Sequence, residues 1–253
     1  MDLELKGLKA VVTGGTRGIG RAIVDTLVAE GAEVAFCARN ADEVRATTAT
    51  LAAAGATVFG ATVDVGDAAA LKAFVEQAAA RMGGIDIVVA NVSALAISAD
   101  EAAWQTGFNV DMMGTVRLVD AAMPSLEKCR HASIVTISSV SGREIDFASG
   151  PYGAFKAAII HYTQGLAFHL ASKGIRANSV SPGNTYFAGG VWEQIERGNP
   201  ALFNEAMALN PTGRMGTPQE MANAVVFLAS PAASFVTGTN LVVDGALTRG
   251  VQF

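Results

Sequence analysis

The sequence is poor in the residues that would tie it to several common protein classes. Two cysteines, Cys37 and Cys129, in 253 residues cannot build a disulfide framework, and Cys37 lies in an apolar run that suits a small core residue. Three histidines, His131, His161 and His169, have no ligand-like spacing with cysteines or carboxylates, so no metal site is expected. Charged residues are only 16% of the chain and the formal net charge is −5. A nucleic-acid partner would need a clustered basic face, and none is present. No apolar run reaches the ~20 residues of a membrane span. The opening Met1-Asp2-Leu3-Glu4-Leu5-Lys6 carries no apolar signal segment, so a soluble, cytoplasmic protein is expected. In that setting the sequon Asn91-Val92-Ser93 reads as chance. A Gly-x-Ser-x-Gly elbow after a strand is also missing, which removes the serine-hydrolase reading.

Apolar residues, by contrast, make up 51% of the chain, enough for one large core and too many for disorder. Short β-branched runs alternate with alanine-rich stretches, the pattern of a parallel sheet covered on both faces. Strands are expected at Lys9–Thr13, Glu33–Cys37, Thr57–Asp64, Asp86–Asn91, Ser133–Ser138, Ile175–Val180 and Asn240–Asp244. Helices are expected near 18–30, 41–54, 67–82, 100–123, 151–172 and 217–229, with Gly31, Gly55 and Gly174 as stops. This is a single α/β domain over 1–253, a doubly wound parallel sheet of about seven strands. The rhythm breaks only at Gly183–Pro211, read as a long irregular segment, with a substrate lid over about 184–211 as its expected role and a surface insertion as the alternative.

The first expected strand runs into Thr13-Gly14-Gly15-Thr16-Arg17-Gly18-Ile19-Gly20, and a helix follows. Glycines there allow a tight turn and close approach of backbone to a pyrophosphate, which the helix amino terminus then attracts. The spacing of Gly14, Gly18 and Gly20 resembles that of the short-chain dehydrogenase/reductase family, and the resemblance continues to about Gly245. It implies a Rossmann-type fold and hydride transfer between a nicotinamide cofactor and a carbonyl or alcohol carbon. Ile19 sits within the same loop.

An acid at the end of the second strand would bind both ribose hydroxyls and repel a 2′-phosphate. Here Ala38 stands there, followed by Arg39, and Arg17 lies in the phosphate loop. The two guanidinium groups favour NADP(H) over NAD(H), unless both are plain surface charges. Asp64-Val65 matches the family's adenine-contacting pair, with a helix cap as the structural alternative.

Tyr152 and Lys156 are four apart at the start of an expected helix and so share a face. An ammonium beside a tyrosine favours its phenolate. Ser139, thirteen residues before Tyr152, completes what resembles the family's Ser/Tyr/Lys triad. The resemblance implies that Ser139 binds the substrate oxygen, Tyr152 moves the proton, and Lys156 assists it and holds the nicotinamide ribose. A fourth member is an Asn in many relatives. Aligning Trp104 and Gly114 puts Asp111 there, while Asn109 is two residues off and turned away by about 200°.

Other positions also depart from the pattern. Asn91 is kept, but Ser93 replaces a glycine. Pro182 and Gly183 match the Pro-Gly after the sixth strand, Phe187 stands at the usual threonine, and Thr185 is the substitute for its cofactor contact. Phe147, Tyr186, Phe187 and Trp192 point to a mainly apolar ketone, and the overall pattern resembles 3-oxoacyl reductases. Glu144 and Asp146 argue against a strongly anionic substrate. The competing readings are an NAD-dependent steroid or cyclic-alcohol dehydrogenase and a non-catalytic nicotinamide-binding protein. The apolar carboxyl-terminal stretches suit a homotetramer or homodimer.

Overall fold

Most of the apolar runs and alanine-rich stretches take their expected form in a computed structural model that describes residues 2–251. In chain order the elements begin with β1 (Lys9–Thr13), α1 (Gly18–Ala29), β2 (Glu33–Ala38), α2 (Ala41–Ala53), β3 (Val58–Thr62), α3 (Ala68–Met82) and β4 (Ile87–Ala90). There follow α4 (Glu101–Gly107), α5 (Met113–Leu126), β5 (Ser133–Ile137), α6 (Pro151–Leu170) and β6 (Arg176–Pro182). The last are α7 (Val191–Gly198), α8 (Pro200–Leu209), α9 (Pro218–Ala229) and β7 (Asn240–Val243). The seven strands form one parallel sheet in the order β3-β2-β1-β4-β5-β6-β7. The order reverses between β1 and β4, and a crevice opens there beyond the strand carboxyl ends, the usual ligand position in such sheets.

The two-residue period of a strand splits the core into two layers. On one face Val11 joins Leu71, Phe74, Leu118 and Val119 from α3 and α5. On the other, Ala10 and Val12 join Ile23, Val24 and Leu27 of α1 and Val225 and Val226 of α9. Burial on both faces favours continuous apolar runs, which makes β1, β2 and β4 legible, while β6 buries Asn178, Ser179 and Ser181 with their hydrogen-bond partners. Gly31, Gly55 and Gly174 stop helices as expected, all at positive φ.

Two stretches differ from expectation. The helix expected over 100–123 is interrupted by one π-turn at Phe108–Met112, between α4 and α5. Thr115 Oγ1 donates to the Asp111 carbonyl at 2.7 Å, occupying an acceptor in the widened turn. The segment read as irregular holds two short helices, α7 and α8. Asn199 caps α8 by accepting from Leu202 N–H, and Pro200 fills its first position. Trp192, Ala206 and Met215 form a separate small core there with Tyr186, Val191, Ile195 and Phe203. No helix among the described residues is long and apolar enough to cross a membrane.

Candidate active site

The carboxyl ends of the strands enclose a cleft of about 580 Å³. Its floor is the loop between β1 and α1. Gly14 has φ of +72°, and a Cβ there would come within 3.0 Å of the Val92 side chain. A Cβ on Gly20 would overlap the Gly14 carbonyl. Only glycine permits this approach. Arg17, at the N-cap of α1, offers no side-chain cap, so amides of the first turn remain for an anion. Asn91 Nδ2 donates to the Thr13 carbonyl at 3.0 Å, and Asn91 N–H donates to Thr13 Oγ1 at the same distance. The loop is thereby pinned to the end of β4. A glycine cradle with free amides fits a pyrophosphate.

At one end of the cleft lie Thr16, Arg17, Ala38, Arg39, Asn40, Asp64 and Val65. Arg17 and Arg39 are exposed and neither forms a salt bridge among the described residues. Asp64 Oδ1 accepts from Gly66 N–H at 2.8 Å. The cap of α3 is Asp67, which accepts from Ala69 and Ala70, so Asp64 is not needed as a cap.

At the other end, α6 brings Tyr152 and Lys156 beside Ser139, just past β5. Gly142 and Gly153 let the turn after β5 approach α6 closely, and Ser138 Oγ donates to the Lys156 carbonyl at 2.8 Å. Lys156 is 2% exposed. Its Nζ donates to the Ile137 carbonyl at 3.0 Å, lies 3.4 Å from Asp111 Oδ1, and is 5.6 Å from the Tyr152 ring centre. Asp111 is equally buried, and its Oδ2 accepts from Ala94 N–H at 2.9 Å. Oδ1 makes no hydrogen bond, leaving the ammonium as its charge partner. Asn109 is turned elsewhere, bridging Gly66 and Arg117.

Three positions extend the site beyond those expected from sequence. Ser139 Oγ donates to Ser141 Oγ at 3.3 Å, and Ser141 Oγ donates to Asp146 Oδ2 at 2.5 Å. Ser139 therefore heads a hydrogen-bonded chain ending on a carboxylate in the cleft wall. The third is Glu43, which accepts from Thr16 Oγ1 at 2.7 Å. Ser141 lies two residues past Ser139 and was open to notice. Glu43 and Asp146 come from separate turns with no motif to mark them.

Comparison with known proteins agrees with this geometry. A family model described as enoyl-(acyl carrier protein) reductase matches residues 14–248. The isoepoxydon dehydrogenase of Penicillium expansum is 43% identical, over 98% of both chains. The chain belongs to the short-chain dehydrogenase/reductase family. Members of this family are oxidoreductases of alcohols and ketones that use a nicotinamide cofactor. Among solved structures, an NADPH-bound short-chain oxidoreductase of Pseudomonas aeruginosa with an atypical catalytic centre superposes with a TM-score of 0.90, at 32% identity over 96% of this chain and 98% of that one. A 7α-hydroxysteroid dehydrogenase solved with NADH and 7-oxo glycochenodeoxycholic acid also gives 0.90, at 29% identity over 97% and 96%.

Against the family pattern, Ser139, Tyr152, Lys156 and Asp111 come together, and Pro182, Gly183 and Thr185 line the same cleft. Thr185 Oγ1 donates to the Gly183 carbonyl at 3.0 Å. Phe147 and Trp192 line it too and meet edge to face at 5.5 Å. Two expected substrate contacts need correction. Tyr186 does not line the cleft: its hydroxyl donates to Glu196 Oε2 at 2.6 Å and its ring packs on Phe203. Phe187 lines the cleft, but at the phosphate loop, where its ring covers Gly18 so closely that a Cβ there would fall within 2.5 Å.

Proposed function

We propose that this protein is an NADP(H)-preferring oxidoreductase that interconverts an apolar ketone or 3-oxoacyl group and the matching secondary alcohol, with Ser139, Tyr152 and Lys156 as its catalytic residues. The observation that carries the reading is the buried Lys156 ammonium, 5.6 Å from the Tyr152 ring, in the wall of the cleft whose floor is the phosphate loop. When bound, the nicotinamide supplies or accepts the hydride. The residues of the chain do the rest. Ser139 holds the reacting oxygen by a hydrogen bond, its hydroxyl proton turning to that oxygen from Ser141 Oγ. Tyr152 gives or takes the proton, and Lys156 favours the phenolate side of that transfer. Asp111 and the Ile137 carbonyl hold the ammonium in place.

Gly14, Thr16, Gly18, Ile19 and Gly20 are assigned to the phosphates, and Asp64, Val65 and Asn91 to the adenosine side and the cleft floor. Pro182, Gly183 and Thr185 are assigned to the nicotinamide end. NADP(H) is favoured because Arg17 and Arg39 stand unpaired beside Ala38, and a guanidinium forks onto phosphate oxygens. The segment 184–211 acts as the lid, with Phe147 and Trp192 giving the substrate space an apolar wall. Copies of the chain associate as a homotetramer or homodimer, for which exposed Trp104 and Phe108, packed on Phe155, provide an apolar face.

Replacing Tyr152 by Phe tests the catalytic assignment. Turnover should fall by about 100-fold or more while NADPH binding, read by fluorescence titration, is retained. Unchanged turnover would overturn the assignment, and a higher kcat/KM with NADH than with NADPH would overturn the cofactor preference.

A further inference from the structure

We propose that Glu43, in the first turn of α2, is a specificity-determining residue that offers a carboxylate to the cofactor's ribose, thereby admitting NAD(H) and limiting the preference for NADP(H). The inference rests on the reading that Arg17 and Arg39 receive a 2′-phosphate, and it adds an opposing group to that end of the cleft.

Glu43 is the third residue of α2, counted from the Asn40 N-cap. A glutamate in that position ordinarily reaches back to the N-cap amide, closing a capping box. In α9 this chain has such a box: Glu220 Oε2 accepts from Thr217 N–H at 2.8 Å. Glu43 does something else. Its Oε2 accepts from Thr16 Oγ1, in the phosphate loop, at 2.7 Å, while Oε1 receives Asn40 Nδ2 at 3.4 Å. The helix start does not depend on it, because Asn40 Oδ1 already accepts from the amides of Asp42 and Glu43 at 3.0 and 3.2 Å. The carboxylate is therefore turned out of its local role and into the cleft wall, which it shares with Thr16, Arg17 and Arg39.

Its partner there is a neutral hydroxyl, although two unpaired guanidinium groups line the same end. A hydroxyl partner can be exchanged for another hydroxyl. A ribose 2′-hydroxyl donating to Glu43 would form a charge-assisted bond of the same kind as the one from Thr16. A 2′-phosphate brings a charge of about −1.5 to −2 instead, which the arginines attract and Glu43 repels. Ala38 leaves the end of β2 without an acid, so Glu43 provides from the neighbouring helix the group that the strand lacks. A like charge at side-chain distance in a partly screened cleft is worth on the order of tenfold in affinity.

The test is the dissociation constant of NADPH and of NADH, measured by isothermal titration without substrate, for the wild type, Glu43→Gln and Arg39→Ala. Glu43→Gln keeps the side-chain shape and one acceptor oxygen, removes the charge and turns the second oxygen into an amide donor. It should tighten NADPH about tenfold and weaken NADH. A change of less than twofold in the ratio of the two constants, or an equal change in both, would overturn the role of Glu43. Arg39→Ala tests the underlying reading separately: unchanged NADPH affinity there would sink the 2′-phosphate assignment, whatever Glu43→Gln does.

Discussion

Asp111 and Lys156 show how one residue can bear on both stability and chemistry. Both are buried, and the carboxylate lies 3.4 Å from an ammonium whose one hydrogen bond is to the Ile137 carbonyl. A buried pair of this kind gains little over apolar packing, yet breaking it leaves a charge stranded. Asp111→Ala should therefore cost about 3 kcal/mol or more, seen as a lower urea midpoint. Asp111→Asn is the more informative change for mechanism. It keeps an acceptor for Ala94 N–H and removes a negative charge that opposes a phenolate at Tyr152. Turnover and fold should both persist. Loss of turnover in Asp111→Asn would show that the carboxylate's charge itself is needed in the proton path. Asp111 was identifiable only through the family resemblance, by aligning Trp104 and Gly114 with the pattern of relatives. Its pairing with Lys156 was not, since that depends on α6 packing against the turn that carries it.

At the scale of elements, the parts of the fold legible in the sequence are those whose local pattern and tertiary setting agree. The central strands β1, β2 and β4, buried on both faces, are almost wholly apolar, and the loop after β1 needs glycine because Gly14 and Gly18 take positive φ and a Cβ on Gly20 would overlap the Gly14 carbonyl. The π-turn at Phe108–Met112 left no such mark, since its residues are compatible with an ordinary helix. The two helices of the 184–211 segment were missed for another reason. Each is short, flanked by glycine or by Asn199-Pro200, and their apolar residues pack on each other and not on the sheet. Trp192 is the centre of that small core, touching Phe147 and Phe203 edge to face. Trp192→Ala should loosen α7 and α8 while the sheet holds. Hydrogen exchange should rise in those helices, with β1, β4 and β5 still protected, and KM for substrate should increase. Unchanged exchange in α7 and α8 would show that the segment is held by something else.

For the whole molecule, burial sets an alkaline limit to stability. Burial pushes the Cys37 thiol up from 9.0 to about 12, burial and the Asp86 carboxylate do the same for Cys129, and burial with the Asp120 charge lifts Tyr162 from 10.0 to about 12. Each group is raised in the folded state, so its neutral form is favoured there and the unfolded chain ionises first. That stability is fully present below about pH 9 and is lost as pH climbs toward about 12. The urea midpoint should fall between pH 8 and pH 10.5, and a flat midpoint over that range would contradict the burial of these groups. The same scale shows what the Phe187 ring on Gly18 entails. With the 184–211 segment as the proposed lid and the loop after β1 as the proposed phosphate site, this contact joins the two, and binding of substrate and of cofactor should be coupled. Linkage then demands symmetry: by whatever factor bound cofactor changes the affinity for substrate, bound substrate changes the affinity for cofactor.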